Sequence, residues 1–380
     1  MINKKSAGVA LIIMLGFSVA ACIGAQGKTA CAAEPKKKQR SNFPVVISDP
    51  ASPLESIEIL TDDGGRVDWS ENKNLIAFDR RGADGFYDVH TMNPDGTDEQ
   101  CLTCNLKDLP KKHTGNPAWH PSGNYSVVQS QKRFQIFSSY WSEPGRGFNN
   151  DLWLISGDGK NTYKLRTVNR RMGVLHPHFS HDGSKLFWSE KTGSTTWALK
   201  LAGFVADASG PRLENIKTYT PGAGLFYESH EFSNDDRGVL FSGNLDGQDL
   251  SGIDIHIMDI ETERLVNLTS SPEEWDEHAQ YTRSGEKIIW MSSKGCNCNP
   301  KILKELRTDI WIMNADGSGK TRLTYFNEPG HEEYIVDGIV VGDMSFSPDG
   351  KKLVAYLILQ GTGLPETTGK IALITFKEPL

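Results

Sequence analysis

A four-strand unit of about 40–50 residues recurs along this chain, and that recurrence limits the possible folds more than any other feature. It is clearest between residues 278 and 324. A short alternating run from His278 ends at Tyr281, Ser284-Gly285 marks a turn, and Ile288-Ile289-Trp290-Met291 forms a second apolar run. After a polar insert come Asp309-Ile310-Trp311-Ile312-Met313, the turn Asp316-Gly317, and Leu323-Thr324. Apolar and polar residues alternate with the period of a strand, whose successive side chains point to opposite faces. Glycine in the turns accepts a positive φ without steric cost. Each unit therefore reads as four short antiparallel strands.

An aromatic residue precedes the first turn of every unit: Trp69, Trp119, Phe179, Phe232, Tyr281 and Phe346. Third strands begin at Tyr87, Asp151, Asp254 and Asp309. Fourth strands end in Leu-Thr or a variant of it, as at Leu102-Thr103, Arg166-Thr167, Tyr219-Thr220, Leu268-Thr269 and Leu323-Thr324. Six anchors predict an all-β fold, a six-bladed β-propeller of four-stranded antiparallel blades over residues 56–380. The last repeat stops after three strands, and Leu60-Thr61 stands alone before the first anchor. The segment ending there is expected to supply the missing strand and close the ring, which removes the unpaired edges of an open array.

The run Ser347-Pro348-Asp349-Gly350-Lys351-Lys352, the Met313-to-Gly317 turn and the Leu-Thr ends resemble the TolB-type β-propeller repeat, a WD-like repeat. The resemblance covers nearly all of the chain after residue 55. It implies fold rather than function, because propellers host enzymes, scaffolds and binding modules alike. TolB carries a separate α/β domain ahead of its propeller, and the sequence here offers no counterpart.

Residues 1–21 read as a signal peptide, with Lys4 and Lys5 ahead of an apolar segment too short to span a membrane comfortably. Val19-Ala20-Ala21-Cys22 resembles a bacterial lipobox, which implies lipidation of Cys22. Residues 22–55 then read as a flexible tether. The protein is expected to be exported, as an outer-membrane lipoprotein facing the periplasm and touching the membrane through its lipid anchor only; the alternative is a soluble periplasmic or secreted form. A net charge of −7 and the lack of a basic face argue against nucleic acid. Export permits disulfides. Cys101 with Cys104, and Cys296 with Cys298, are expected to form local pairs, with free thiols as the alternative.

The connections between fourth and first strands, and between second and third, are long, whereas the others are tight. Both long sets emerge at one face of a propeller, so function is expected on that face. Three residues before each anchor stand Arg66, Asn116, His176, Ser229, His278 and Asp343. His178, Glu228, His230, Glu277 and Gln280 are their neighbours. Arg66, Asn116, His178, Glu228, Glu277 and Asp343 are candidate ligand contacts. His176, His230, His278 and Gln280 are candidate ligands for a divalent metal such as manganese or zinc, since imidazole with carboxylate or amide oxygen suits these ions. His230 falls one residue out of step with the other two. The pattern also resembles that of oligogalacturonate lyase propellers, which hold a divalent metal with His and Gln. That family has seven blades, against six anchors here.

The sequence thus supports two readings. One is a monomeric binding module that holds an envelope protein, a peptide or a glycan on the long-loop face. The other is a metal-dependent polysaccharide lyase or hydrolase. No nucleophile elbow, phosphate loop or dinucleotide fingerprint occurs. Changing Cys22 to Ala is expected to release the protein from the membrane fraction and alter its processing; a variant that fractionates and migrates like the parent contradicts lipidation.

Overall fold

In the computed structural model, residues 43–134, 139–360 and 369–380 are described. Cys22, the signal peptide and most of the expected tether lie outside them. Six antiparallel sheets are arranged as blades of a propeller. The innermost strands are Val67–Trp69, Thr114–Trp119, Val174–Phe179, Tyr227–Phe232, Asp276–Tyr281 and Ile339–Phe346. Each ends on one of the six aromatic anchors.

The repeated sequence signature has a hydrogen-bonding cause. In blade five, Asp309 Oδ1 accepts from Thr324 Oγ1 at 3.1 Å and from the Phe326 N–H at 2.7 Å. Thr324 Oγ1 in turn accepts the Ile310 N–H at 2.9 Å. Blade four repeats this with Asp254 and Thr269, where the side-chain bond is 2.8 Å. Blade one repeats it with Asp88 and Thr103 at 2.7 Å. The Asp that opens the third strand and the Thr that follows the fourth therefore tie the blade's outer strands together and satisfy the chain where it turns inward. The tight turns use a second device. Ser347 Oγ donates to Asp349 Oδ1 at 2.6 Å, which also accepts the Lys351 N–H, and Gly350 takes φ 70°. Such side-chain-to-backbone turns are what Ser, Asp and Gly do at these positions.

The ring closes as expected. Leu54–Thr61 pairs antiparallel with Gly369–Phe376 and becomes the fourth strand of blade six. Leu54 and Ile57 are completely buried there. The sheet also begins before residue 56, because Val45–Val46 pairs with Ile57 and Ser56 as a fifth strand, and Val45 and Ile47 join the blade-six core. Blade three lacks the Asp signature. Its third and fourth strands are Trp197–Asp207 and Gly210–Tyr219, a long hairpin turned by Asp207, which accepts the Ser209 N–H at 2.8 Å.

Cys101 is bonded to Cys104, and Cys296 to Cys298. Tyr140, Trp141, Trp275 and Phe226 pack the long loops down. Trp275 and Phe226 are buried, and Tyr140 lies under the Arg146 guanidinium at 3.5 Å.

Each fully buried Leu or Ile contributes about 1.5–3 kcal/mol relative to exposure. Deleting residues 43–62 removes Leu54 and Ile57 and leaves Gly369–Phe376 unpaired on one side. Insoluble protein, or a stability loss above about 3 kcal/mol by denaturant melt, is expected. A deletion variant that melts like the parent contradicts closure.

Candidate functional site

Six innermost strands converge on the axis, and each of five carries a register shift part-way along. In blade three, Leu175 pairs with Ser189 and His178 with Phe187, so His176 and Pro177 together oppose Trp188. In blade five, His278 and Ala279 oppose Trp290 in the same way. Blades two and six repeat this at Asn116 and Gly342. Two residues against one is a β-bulge, which bends the strand and re-aims its side chains. Asn116, His176 and His278 hold φ of 54°, 45° and 54°. A left-handed conformation is uncommon for any residue but Gly, though Asn and His adopt it more readily than most.

Blade four explains the histidine that looked out of step. There the shift falls between Ser229 and Phe232, so His230 and Glu231 oppose Leu240. The bulge has slid by one residue. His230 therefore occupies the first bulge position, the place His176 and His278 hold on the flanking blades.

The result is a cluster. One ligand atom each from His176, Glu228, His230 and His278 lies within 4.8 Å of every other, and all four residues are buried. His176 Nδ1 is 3.2 Å from Glu228 Oε1 and 3.7 Å from Asp343 Oδ1. His278 Nδ1 is 3.9 Å from Glu228 Oε1 and 3.8 Å from Asp343 Oδ1. His230 Nε2 is tied to Ser242 Oγ at 2.5 Å. A partner behind one ring nitrogen that orients the other is the usual second layer of a metal site.

Burial sets the protonation states. It lowers His176 and His230 well below the ordinary histidine range, helped by the neighbouring imidazoles, and lowers His278 as well. His178 falls to about 4 for the same reason. Burial raises Glu228 well above the carboxylate range, with Glu277 and Asp343 adding repulsion, and raises Glu277 to about 8. Burial thus favours neutral imidazoles, and the protonated form of Glu228 and Glu277. A divalent ion entering there would take the place of those protons. Three imidazoles and a carboxylate form a donor set that fits zinc, manganese or iron.

The other expected residues surround this cluster. Arg66 Nη1 reaches both oxygens of Asp79, at 3.0 and 3.2 Å, and Asp79 also accepts the Asn116 N–H at 2.9 Å. Gln280 does not join the four. It lines the cavity beside them, and its amide nitrogen donates to the Met344 carbonyl. Glu228 stands in the fourth position instead. Sequence reasoning missed Asp79 and Ser242. Each is a buried polar residue that closes an apolar run, Ile76-Ala77-Phe78-Asp79 and Val239-Leu240-Phe241-Ser242, which is the faint signal they carry.

The cluster lies inside the channel rather than at the long-loop mouth. Arg66, Glu228, Glu277 and Asp343 border a cavity of about 30 Å³ on that side. Gly145 also lines it, and a Cβ there, at φ 83°, would come within 2.9 Å of Arg66 Nε. A wider cavity, about 90 Å³, lies at the opposite end, lined by residues of all six blades at their tight turns. Side chains one residue before the anchors stitch neighbouring blades together there. Asp68 accepts the Trp119 N–H at 2.6 Å and Ser345 Oγ–H at 3.0 Å, and Glu231 accepts the Tyr281 N–H at 2.7 Å.

No protein-family model matches this chain, and no curated protein matches it. Solved structures do. TolB from Acinetobacter baumannii superposes with a TM-score of 0.52 at 14% identity, covering 82% of this chain and 65% of that one. A gluconolactonase from Xanthomonas campestris gives 0.51 at 14% identity, covering 88% and 94%. An oligogalacturonate lyase in complex with manganese gives 0.47 at 11% identity, covering 88% and 97%. This chain thus spans about 65% of the length of that TolB. At such identities the likeness is one of fold alone.

Burial raises Asp68 to about 6, against the pull of its two hydrogen bonds. A folded-state value above the unfolded one means that Asp68 favours folding below pH 4 and loses that contribution as pH rises through about 6. Asn at this position can still accept from Trp119 and donate to Ser345. The Asp68→Asn variant is therefore expected to gain on wild type by roughly 1–3 kcal/mol between pH 4 and pH 7 in paired denaturant melts. A constant difference across that range contradicts the assignment.

Proposed function

We propose that this protein is a propeller binding module whose channel holds a divalent cation through His176, His230, His278 and Glu228, and that its ligand is bound at that cation. The observation that carries this reading is the convergence of three histidines from the bulge positions of three consecutive blades onto one buried carboxylate. A core built only for stability gains nothing from neutral imidazoles facing protonated acids, since buried polar groups cost free energy unless well bonded. The expected ligands are an envelope protein, a peptide or a glycan, and the protein is expected to act as a monomer. Residues 1–22 support an exported, lipid-anchored protein facing the periplasm.

A second reading has its own support. Arg66 and the proton-holding Glu228 and Glu277 border one cavity with the cluster, and these are groups that an acid–base step uses. On this reading the protein is a metal-dependent lyase or hydrolase acting on an acidic polysaccharide. Unsaturated uronide absorbance on incubating manganese-loaded protein with polygalacturonate would favour it over simple binding.

Elemental analysis of protein purified without chelator is expected to find about one manganese, zinc or iron per chain. Adding the ion to stripped protein should raise stability by about 3 kcal/mol at a hundredfold excess over Kd. His176→Asn, His278→Asn and Glu228→Gln should each lose most of that gain while remaining folded, because Asn tolerates the left-handed backbone at residues 176 and 278. Wild-type protein that carries no metal and gains no stability from any divalent ion contradicts the cation site.

A further inference from the structure

We propose that Asp343 is a fifth protein ligand of the cation, through its Oδ1, and that the site is therefore built for a six-coordinate ion such as manganese or iron rather than for zinc. This rests on the cation reading above and deepens it.

Asp343 stands three residues before its anchor Phe346, as His176 and His278 stand before Phe179 and Tyr281. Its strand carries the same shift of two residues against one, with Gly342 and Asp343 together opposite Tyr356. Gly342 is what the packing allows there, since a Cβ would fall 2.7 Å from Tyr356 Cδ1. The shift delivers Asp343 Oδ1 to 3.7 Å from His176 Nδ1 and 3.8 Å from His278 Nδ1, the two nitrogens that also face Glu228 Oε1. Neither separation is a hydrogen bond. Among the described residues nothing donates one to this carboxylate, although its side chain is only 15% exposed. Arg66, which feels its charge, is bonded to Asp79 instead. A carboxylate so placed costs free energy unless a cation meets it.

Asp343, His176 and His278 each border both small cavities of the channel, of about 30 and 20 Å³. Glu228 borders only the first and His230 only the second. An ion between the cavities can thus take Glu228 from one side, His230 from the other, and the remaining three from around it. Bonds of about 2.0–2.3 Å put neighbouring donors on one ion roughly 3–3.6 Å apart, so the four pairs above need close by only a few tenths of an ångström. Five donors exceed the four of a typical zinc site and suit an ion that takes six. Two carboxylates also match the ion's two charges, which a buried site favours. The sixth position is left for a donor of the bound ligand.

The test uses the full chain, stripped and then loaded with manganese or zinc. Asp343→Ala removes the donor, and Asp343→Asn removes its charge. Stripped, both variants are expected to melt no lower than wild type, because the side chain has no hydrogen bond to lose among the described residues. Manganese affinity should fall about tenfold or more in both, and zinc affinity by less, so the preference moves towards zinc. Water should fill the position vacated in Asp343→Ala, so ¹⁷O-water should broaden the manganese EPR lines more in that variant than in wild type. Variants that bind manganese like wild type overturn the inference. So does an equal loss for both metals without added ¹⁷O broadening, which is what a residue behind the ligands gives. Stripped variants that melt lower while binding manganese like wild type mark Asp343 as structural and overturn it too. Each of those outcomes leaves the cation site standing, whereas wild type that takes up no divalent ion overturns both.

Discussion

A shift of two residues against one, repeated in the innermost strands, is the constraint on which the candidate site depends. A regular strand would alternate its side chains between the faces of its blade. The bulge interrupts that alternation and gives Asn116, His176, His230 and His278 equivalent places on four blades. Three of the four hold a left-handed backbone, a conformation that persists only where its surroundings impose it. Part of what imposes it at Asn116 is visible. Asp79, on the second strand of the preceding blade, accepts the Asn116 N–H. At blade four, Ser189 of the preceding blade likewise accepts the Ser229 N–H, at 2.8 Å, just ahead of the bulge.

The remainder of the ring supplies rigidity. Asp–Thr pairs close the blades at their outer strands, the Ser-Asp turns fix the tight ends, and the side chains preceding the anchors join one blade to the next. Buried polar networks of this kind are costly when incomplete and specifying when complete. They hold the channel side chains in one arrangement, which is what a coordination site requires.

Most of this fold was legible in the sequence, because its repeats carry their hydrogen-bonding partners with them. The anchors, the Leu-Thr ends and the orphan strand at Leu60-Thr61 each correspond to a bond or a pairing that the structure contains. Blade three was legible only in part, since Trp197–Asp207 lacks the opening Asp, and Val45–Val46 is too short to show a period. The candidate site was half legible. Spacing from the anchors found His176 and His278 and placed His230 nearby, but a bulge that slides by one residue leaves no mark in the alternation. Gln280, two residues after His278, is a ligand candidate on spacing alone. The structure instead ties its amide to Met344 and puts Glu228, from the neighbouring blade, beside the histidines. Contacts between strands of different blades are set by the closure of the ring, which no single repeat encodes.

The central claim is that His176, His230, His278 and Glu228 form one cation site. Anomalous diffraction from a crystal grown with manganese or zinc tests it most directly. The account predicts one strong anomalous peak inside the channel, within about 2.0–2.3 Å of a nitrogen from each histidine and an oxygen of Glu228. A channel without such a peak, in crystals whose metal is bound elsewhere or not at all, would contradict it.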